Sequence, residues 1–122
     1  MPSKFLIIAA TLLLGACGKV NQQAAQAATG GSAKRGMAAI ARYGCGSCHV
    51  IPGIGEAVGR AGPPLTGIGD RIYIAGVLQN TPDNLVKWIE NPHGVDEKTV
   101  MPNLGVTHQD AIDIAGYLYT LR

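Results

Sequence analysis

Aromatic residues are scarce in this chain of 122 residues, which has one Phe, one Trp and four Tyr. The Phe, at position 5, falls in a segment that reads as removable. Trp88 and the tyrosines are then the only large rings left to a small domain. Such a core is hard to stabilise unaided, because short chains bury a modest share of their surface. A dominant charge is missing too. Ten Lys and Arg face eight Asp and Glu, for a formal net charge of +2, and no basic run or stripe stands out. Nucleic acid and acidic lipid surfaces are therefore unsupported as partners. Nor does the N-terminal apolar run, Phe5 to Leu14, reach the roughly 20 residues that span a bilayer.

That run has another reading. Lys4 followed by Phe5 to Leu14 is a basic n-region and an apolar h-region, the pattern of an export signal. Leu14-Gly15-Ala16-Cys17 closes it and resembles the bacterial lipobox, whose cysteine is lipidated and becomes the new N-terminus. An ordinary signal peptide ending in small residues is the alternative. The expected division is a lipoprotein signal over 1–16, a lipidated N-terminus and flexible linker over 17–33, and a domain over 34–122. Removing Lys4 with the signal leaves a net +1. Gly18 to Ala33 is polar and small, without hydrophobic period, and reads as a tether. Sixteen flexible residues would have an r.m.s. reach of roughly 20–25 Å. The expected location is extracytoplasmic, lipid-anchored to a bacterial membrane and facing the periplasm.

Three helices are expected beyond the tether. The first opens at Ser32 as N-cap, carries Ala33, Met37, Ile40 and Ala41 on one face, and stops at Gly44. The second has Thr81 as N-cap, Pro82 at the first helical position and Asp83 against the macrodipole. It presents Leu85, Trp88 and Ile89 and ends at Pro92. The third starts at Thr107, with Asp110 three residues on, and carries Ala111, Ile114, Ala115, Leu118 and Leu121. Pro52 to Gly69 is Gly- and Pro-rich, without strand alternation. The expected class is all-α with long loops.

The chemistry concentrates in Cys45-Gly46-Ser47-Cys48-His49. In a coiled segment the two thiols lie three residues apart and His49 four from Cys45, so all three share a face. This string reads as the attachment site of a c-type haem, with thioethers from Cys45 and Cys48 and iron ligation by His49. A zinc site needs four ligands in close pairs, and His93 and His108 are too far apart for a finger. A thioredoxin-like pair needs a strand–helix–strand setting, and an extracytoplasmic disulfide leaves the adjoining histidine unexplained. A porphyrin would also supply the apolar volume that the aromatic-poor composition lacks. Export fits as well, since c-type haem is attached outside the cytoplasm in bacteria.

The opposite side of such an iron needs a ligand or stays open. Met101, between the second and third helices, offers a thioether; His/Met ligation raises the reduction potential and suits electron transfer. Core filling is the ordinary role of a lone Met. Met37 is expected on a packing face, while His93 and His108 are rivals that would give a bis-His centre.

In order along the chain come Cys45 to His49, Gly62-Pro63-Pro64-Leu65-Thr66-Gly67-Ile68-Gly69-Asp70-Arg71, Trp88-Ile89-Glu90-Asn91-Pro92, Met101-Pro102 and Ile114-Ala115-Gly116-Tyr117-Leu118. Together they resemble the class I c-type cytochromes. The likeness is greatest to small bacterial monohaem forms associated with respiratory terminal oxidases, including domains fused to oxidase subunits. The resemblance implies the cytochrome c fold, three main helices with long loops around one covalent haem. It implies that the Pro63 carbonyl accepts the His49 ring N–H, leaving Nε2 for iron. Loop stiffening is the plainer role of Pro63 and Pro64. Arg71 matches an arginine that neutralises a haem propionate; a solvated charge is its alternative. Trp88 falls where relatives pack an aromatic near the Met-side face, and core packing accounts for it almost as well. Gly36 and Tyr117 match a small-to-aromatic contact where the first and last helices cross. Ala41 departs from the pattern, since relatives often place a bulky aromatic there, and here Tyr43 stands two residues later.

The implied function is single-electron transfer in a respiratory chain, not catalysis by the chain alone. The implied partners are redox proteins, either a terminal oxidase or a quinol-side donor, with no small-molecule substrate. The competing readings are a haem subunit of a fixed oxidoreductase complex, a gas sensor with an open distal site, and a peroxidase-like enzyme.

Overall fold

The helix caps expected from local chemistry are all in place in the computed structural model, which describes residues 18–122. The export signal and Cys17 lie outside the described residues. Five helical segments follow the chain: α1 over 18–29, α2 Ala33–Tyr43, α3 Pro82–Glu90, α4 Pro92–Val95 and α5 His108–Leu118. A small antiparallel hairpin pairs β1, Tyr73–Ile74, with β2, Leu78–Gln79.

The Ser32 hydroxyl accepts the Arg35 N–H at 3.2 Å to open α2, and Gly44, at φ 72°, closes it in the left-handed region. Thr81 caps α3 by accepting from Asn84, and Thr107 caps α5 by accepting from Asp110. These side-chain acceptors satisfy N–H groups that a helix start leaves without intrahelical partners.

The buried face of α2 differs from the expected stripe. Gly36, Ala39 and Ile40 are buried, whereas Met37 is 38% exposed and Ala41 is exposed. The cause is the crossing with α5. A Cβ on Gly36 would stand 2.0 Å from the Asp113 carbonyl oxygen and 3.0 Å from Tyr117 Cβ. The helices therefore meet backbone to backbone at the glycine, which turns Met37 outward. The Gly36–Tyr117 meeting is the one the resemblance implied. Helix α5 is buried almost all round, from Ala111 through Leu118, with Gln109 on its exposed start. Leu121 is only partly buried and lies past its end.

The segment expected to be a flexible linker is helical over 18–29 and docked at its end. Its Ala- and Gln-rich sequence has strong helix propensity even without hydrophobic period. Ala25 is buried, the Thr29 hydroxyl donates to the Ala25 carbonyl at 2.7 Å, and Gly30 turns the chain at φ 74°. A Cβ on Gly31 would stand 2.0 Å from the Ile112 carbonyl oxygen, so only glycine passes there. The Ser32 N–H then donates to Asp113 Oδ1 at 2.8 Å.

Two further features lay outside the expected three helices and loops. Pro92 does not merely end α3; after Asn91 it opens the short α4 as its first residue, where a missing N–H costs nothing. The β1–β2 hairpin turns through Ala75 and Gly76, both at positive φ (51° and 73°), the backbone sign of a type I′ turn.

Asp113 is the buried charged side chain of the core. It accepts from Ser32 N–H, from Arg35 Nε at 2.8 Å and from Arg35 NH2 at 2.9 Å. The Arg35 hydrogen bonds, with Ser32 helping, hold its carboxyl below the usual carboxylate range. A depressed carboxylate stabilises the fold above its unfolded pKa and loses that contribution as pH falls through the folded value. Asp113→Asn is therefore expected to cost about 1–3 kcal/mol at neutral pH. The difference from the parent should shrink in acid, below the ordinary aspartate pKa of about 3.9. Denaturant unfolding measured from pH 7 to pH 3 checks both.

Candidate functional site

A cavity of about 400 Å³ opens in the middle of this frame, a size typical of small-molecule and cofactor sites. Cys45, Cys48, His49, Pro63, Arg71, Trp88 and Met101 all line it. Every candidate residue of the domain is thus brought to one place. The rest of the wall is mostly apolar, with Ile40 from α2, Leu85 and Ile89 from α3, and Ile114 and Leu118 from α5. Among the described residues no Asp or Glu lines it.

Local geometry presents the Cys–His segment. Gly44 turns the chain out of α2 and a 3₁₀ turn over Cys45–Ser47 follows. The N–H groups of Cys48 and His49 both reach the Cys45 carbonyl, at 3.2 and 3.1 Å. One turn therefore carries both thiols and the imidazole. Cys45 and Cys48 are free thiols, half-buried. Burial, the first cause, pushes the Cys45 thiol up, so it is kept protonated. A redox-catalytic thiol needs the opposite shift, toward thiolate.

His49 is held by its ring. Its Nδ1 lies 2.7 Å from the Pro63 carbonyl oxygen; a carbonyl only accepts, so Nδ1 carries the hydrogen, and in the neutral ring Nε2 keeps its lone pair as a metal donor. Gly62 makes room for the ring. A Cβ there would stand 2.3 Å from His49 Cε1, and the Gly62 N–H donates to the Cys48 carbonyl at 2.8 Å. Loop 51–62 folds back over the same turn. Gly59 N–H donates to the Gly46 carbonyl at 3.0 Å, and Val50 bridges Val58. The Tyr117 hydroxyl anchors the loop from α5 by donating to the Pro52 carbonyl at 2.5 Å.

Arg71 reaches the rim with a task of its own. Its NH2 group donates to the Pro64 carbonyl and, at 3.0 Å, to the Thr66 carbonyl. It clamps the proline loop in addition to lining the cavity. Asn80 supports it from the hairpin, donating to the carbonyls of Ile68 and Arg71 at 2.8 Å each. Trp88 is buried and faces the cavity, so core packing and the cavity wall are one role. Met101 is half-buried against the core and also lines the wall.

The rival histidines are elsewhere. His93 Nε2 meets the Thr99 carbonyl at 3.1 Å, His108 Nδ1 meets Glu90 at 3.0 Å, and neither lines the cavity. Met37 does not line it either. Sequence reasoning missed the hairpin's share of the wall, Tyr73, Ile74 and Ala75. It also missed the Tyr117–Pro52 anchor; the adjacent Pro52-Gly53 was the available turn signal.

Over most of its length the chain is similar to cytochrome c oxidase subunit 2 of Alkalihalophilus pseudofirmus, 34% identical over 91 residues. That span is 74% of this chain and 26% of the relative. Cytochrome c oxidase subunit 2 of a Bacillus species is also 34% identical, over 94 residues with the same shares. The chain thus spans about a quarter of the length of the curated relatives it matches. No family model matches it, and no solved structure does.

Gly62→Ala is expected to force the His49 ring off Pro63. The structural cost should be about 1–3 kcal/mol, as for overpacking, with loss of the His49 Nδ1 hydrogen bond to Pro63. NMR of the imidazole N–H and a denaturant midpoint check the two halves separately.

Proposed function

We propose that this chain is a single-electron carrier of the class I c-type cytochrome kind, holding one haem c in the cavity and serving a terminal oxidase system. The observation that carries the reading is the opening of Cys45, Cys48, His49 and Met101 onto one apolar cavity, with His49 Nδ1 on the Pro63 carbonyl. These residues fit the group. Two neighbouring thiols suit two thioether links, the imidazole Nε2 and a thioether sulfur are donors that would hold the iron, and an apolar wall suits a porphyrin. Bound there, haem would supply a one-electron ferric/ferrous couple.

The chain's own residues set the conditions for that couple. The Pro63 carbonyl fixes the His49 tautomer and raises its basicity. The neutral thioether of Met101 and the apolar wall would favour the ferrous state and a high potential in a haem held there. The mostly apolar wall suits a buried one-electron centre. With Met101 at the wall, a carrier is favoured over a gas sensor. Arg71 has room to serve a propionate through the guanidinium nitrogens other than the one that clamps the proline loop. In this reading the described fold is a cytochrome c fold, and Cys17 is the lipid anchor on the periplasmic side of a bacterial membrane.

A second reading has its own support. In the relatives the similar segment is part of a much longer chain bearing an oxidase subunit's name. That favours a haem subunit held in a fixed oxidoreductase complex. Purification from detergent-solubilised membranes separates the readings: constant stoichiometry with oxidase subunits marks a fixed subunit, and its absence a shuttle.

Met101→Ala is expected to abolish the red charge-transfer band of ferric Met–iron ligation and to lower the reduction potential; an unchanged spectrum would refute the assignment. Cys17→Ser should release the protein from membranes into the soluble fraction, as fractionation and immunoblotting would show. Retention on the membrane would rule out the lipid anchor.

A further inference from the structure

Met101 sits in the segment between α4 and α5, and this segment is tied down on both sides by side chains that do not line the cavity. On the N-terminal side His93 Nε2 lies 3.1 Å from the Thr99 carbonyl oxygen. A carbonyl only accepts, so Nε2 carries the hydrogen, and either the Nε2–H tautomer or the imidazolium can donate it. Thr99 passes the restraint on, since its hydroxyl accepts the Met101 N–H at 3.2 Å. On the C-terminal side the Asn103 side-chain amide donates to Asn91 Oδ1 at 3.2 Å, and the His93 N–H reaches Asn103 Oδ1 at 3.5 Å.

The support is a single short turn with fixed geometry. Asn91 Oδ1 also accepts the Gly94 N–H at 3.0 Å, capping α4. A Cβ on Gly94 would stand 2.2 Å from Asn91 Nδ2, so a larger residue there would displace the Asn91 amide. Pro92, between the two contacting residues, is fully buried and pins the turn to the core. Thr99 and Asn103, each two residues from Met101, thus hang from residues 91–93.

We propose that His93, acting with the Asn91–Asn103 pair, is a positioning residue for Met101, holding its loop closed so that the thioether stays on the metal. The role rests on the His49/Met101 reading given above. It also explains why an exposed histidine beside the site is not itself a ligand: its ring is committed to the backbone of the loop that carries one.

The test uses the full-length haem-loaded protein and cyanide as a probe of the ferric iron, since cyanide binds only after Met101 has left. Loss of one exposed hydrogen bond should open the loop roughly 2- to 12-fold more often. His93→Ala should therefore bind cyanide faster by that factor, with the domain's denaturation midpoint close to the parent's. His93→Gln, which restores an N–H donor at similar reach, should return the rate toward the parent, and Asn103→Ala should raise it. A parental rate in His93→Ala, with the Met–iron band intact, overturns the positioning role alone. A parent protein that lacks the band overturns the Met101 assignment, and the positioning role with it.

Discussion

The contact on which most depends is between backbones, where Gly36 of α2 lets the Asp113 carbonyl of α5 come to within 2.0 Å of where a Cβ would stand. Much of the site hangs from that contact. With α5 drawn in so far, the Asp113 carboxylate reaches the Ser32 N–H and the Arg35 guanidinium, fixing the start of α2. One helical turn along α5, Tyr117 points its hydroxyl at the Pro52 carbonyl and holds loop 51–62 against the Cys–His turn. That loop supplies Gly59 to Gly46, and it leads to Gly62, beside which the His49 ring has room to meet Pro63. A larger residue at position 36 would push α5 away and weaken each later link.

The cavity sets a second constraint, because it lies where a domain of this size would otherwise have its core. Ile40, Leu85, Ile114 and Leu118 are buried core residues and wall residues at once. Apolar side chains that face such a cavity instead of one another leave unburied the surface whose burial stabilises a small domain. Sequence composition points the same way, with one Trp and four Tyr to fill the interior. On the proposed reading the cofactor is therefore part of the core, and folding and loading are coupled.

What the sequence made legible was local. Ser32, Thr81 and Thr107 act as caps because each bond joins a side chain to an amide three residues away. Gly44 closes α2 for an equally local reason, its positive φ. The seven candidate residues of the domain also converge on the cavity, though their motifs are spread from position 45 to 101. What stayed illegible was set largely by how segments fit once folded. Which face of α2 is buried depends on a backbone contact 77 or more residues away, invisible to a hydrophobic stripe. Segment 18–29 looked like a tether because small polar residues give no period, yet their helix propensity and the fit of Gly31 against α5 decide its state. Arg71 carried a charge that suggested a cofactor carboxylate, and its clamp on Pro64 and Thr66 needed the folded loop to be seen.

The docked N-terminal segment changes what an anchor at Cys17 would do. A flexible linker would have let the domain roam, whereas a helix over 18–29 is about 18 Å long and is fastened to α5 by Gly31 and Ser32. An anchor at its far end would hold the domain near the membrane with a limited set of orientations. In the longer relatives the similar segment lies on the same chain as the rest of the subunit. On the proposed reading, either arrangement would raise effective concentration without new contacts, so a small, weak interface would suffice for a redox partner. Near-balanced charge, ten basic against eight acidic residues, is what such a protein can tolerate. Long-range steering matters most to a carrier that must find its partner from bulk solution, and a carrier held beside its partner has little need of it.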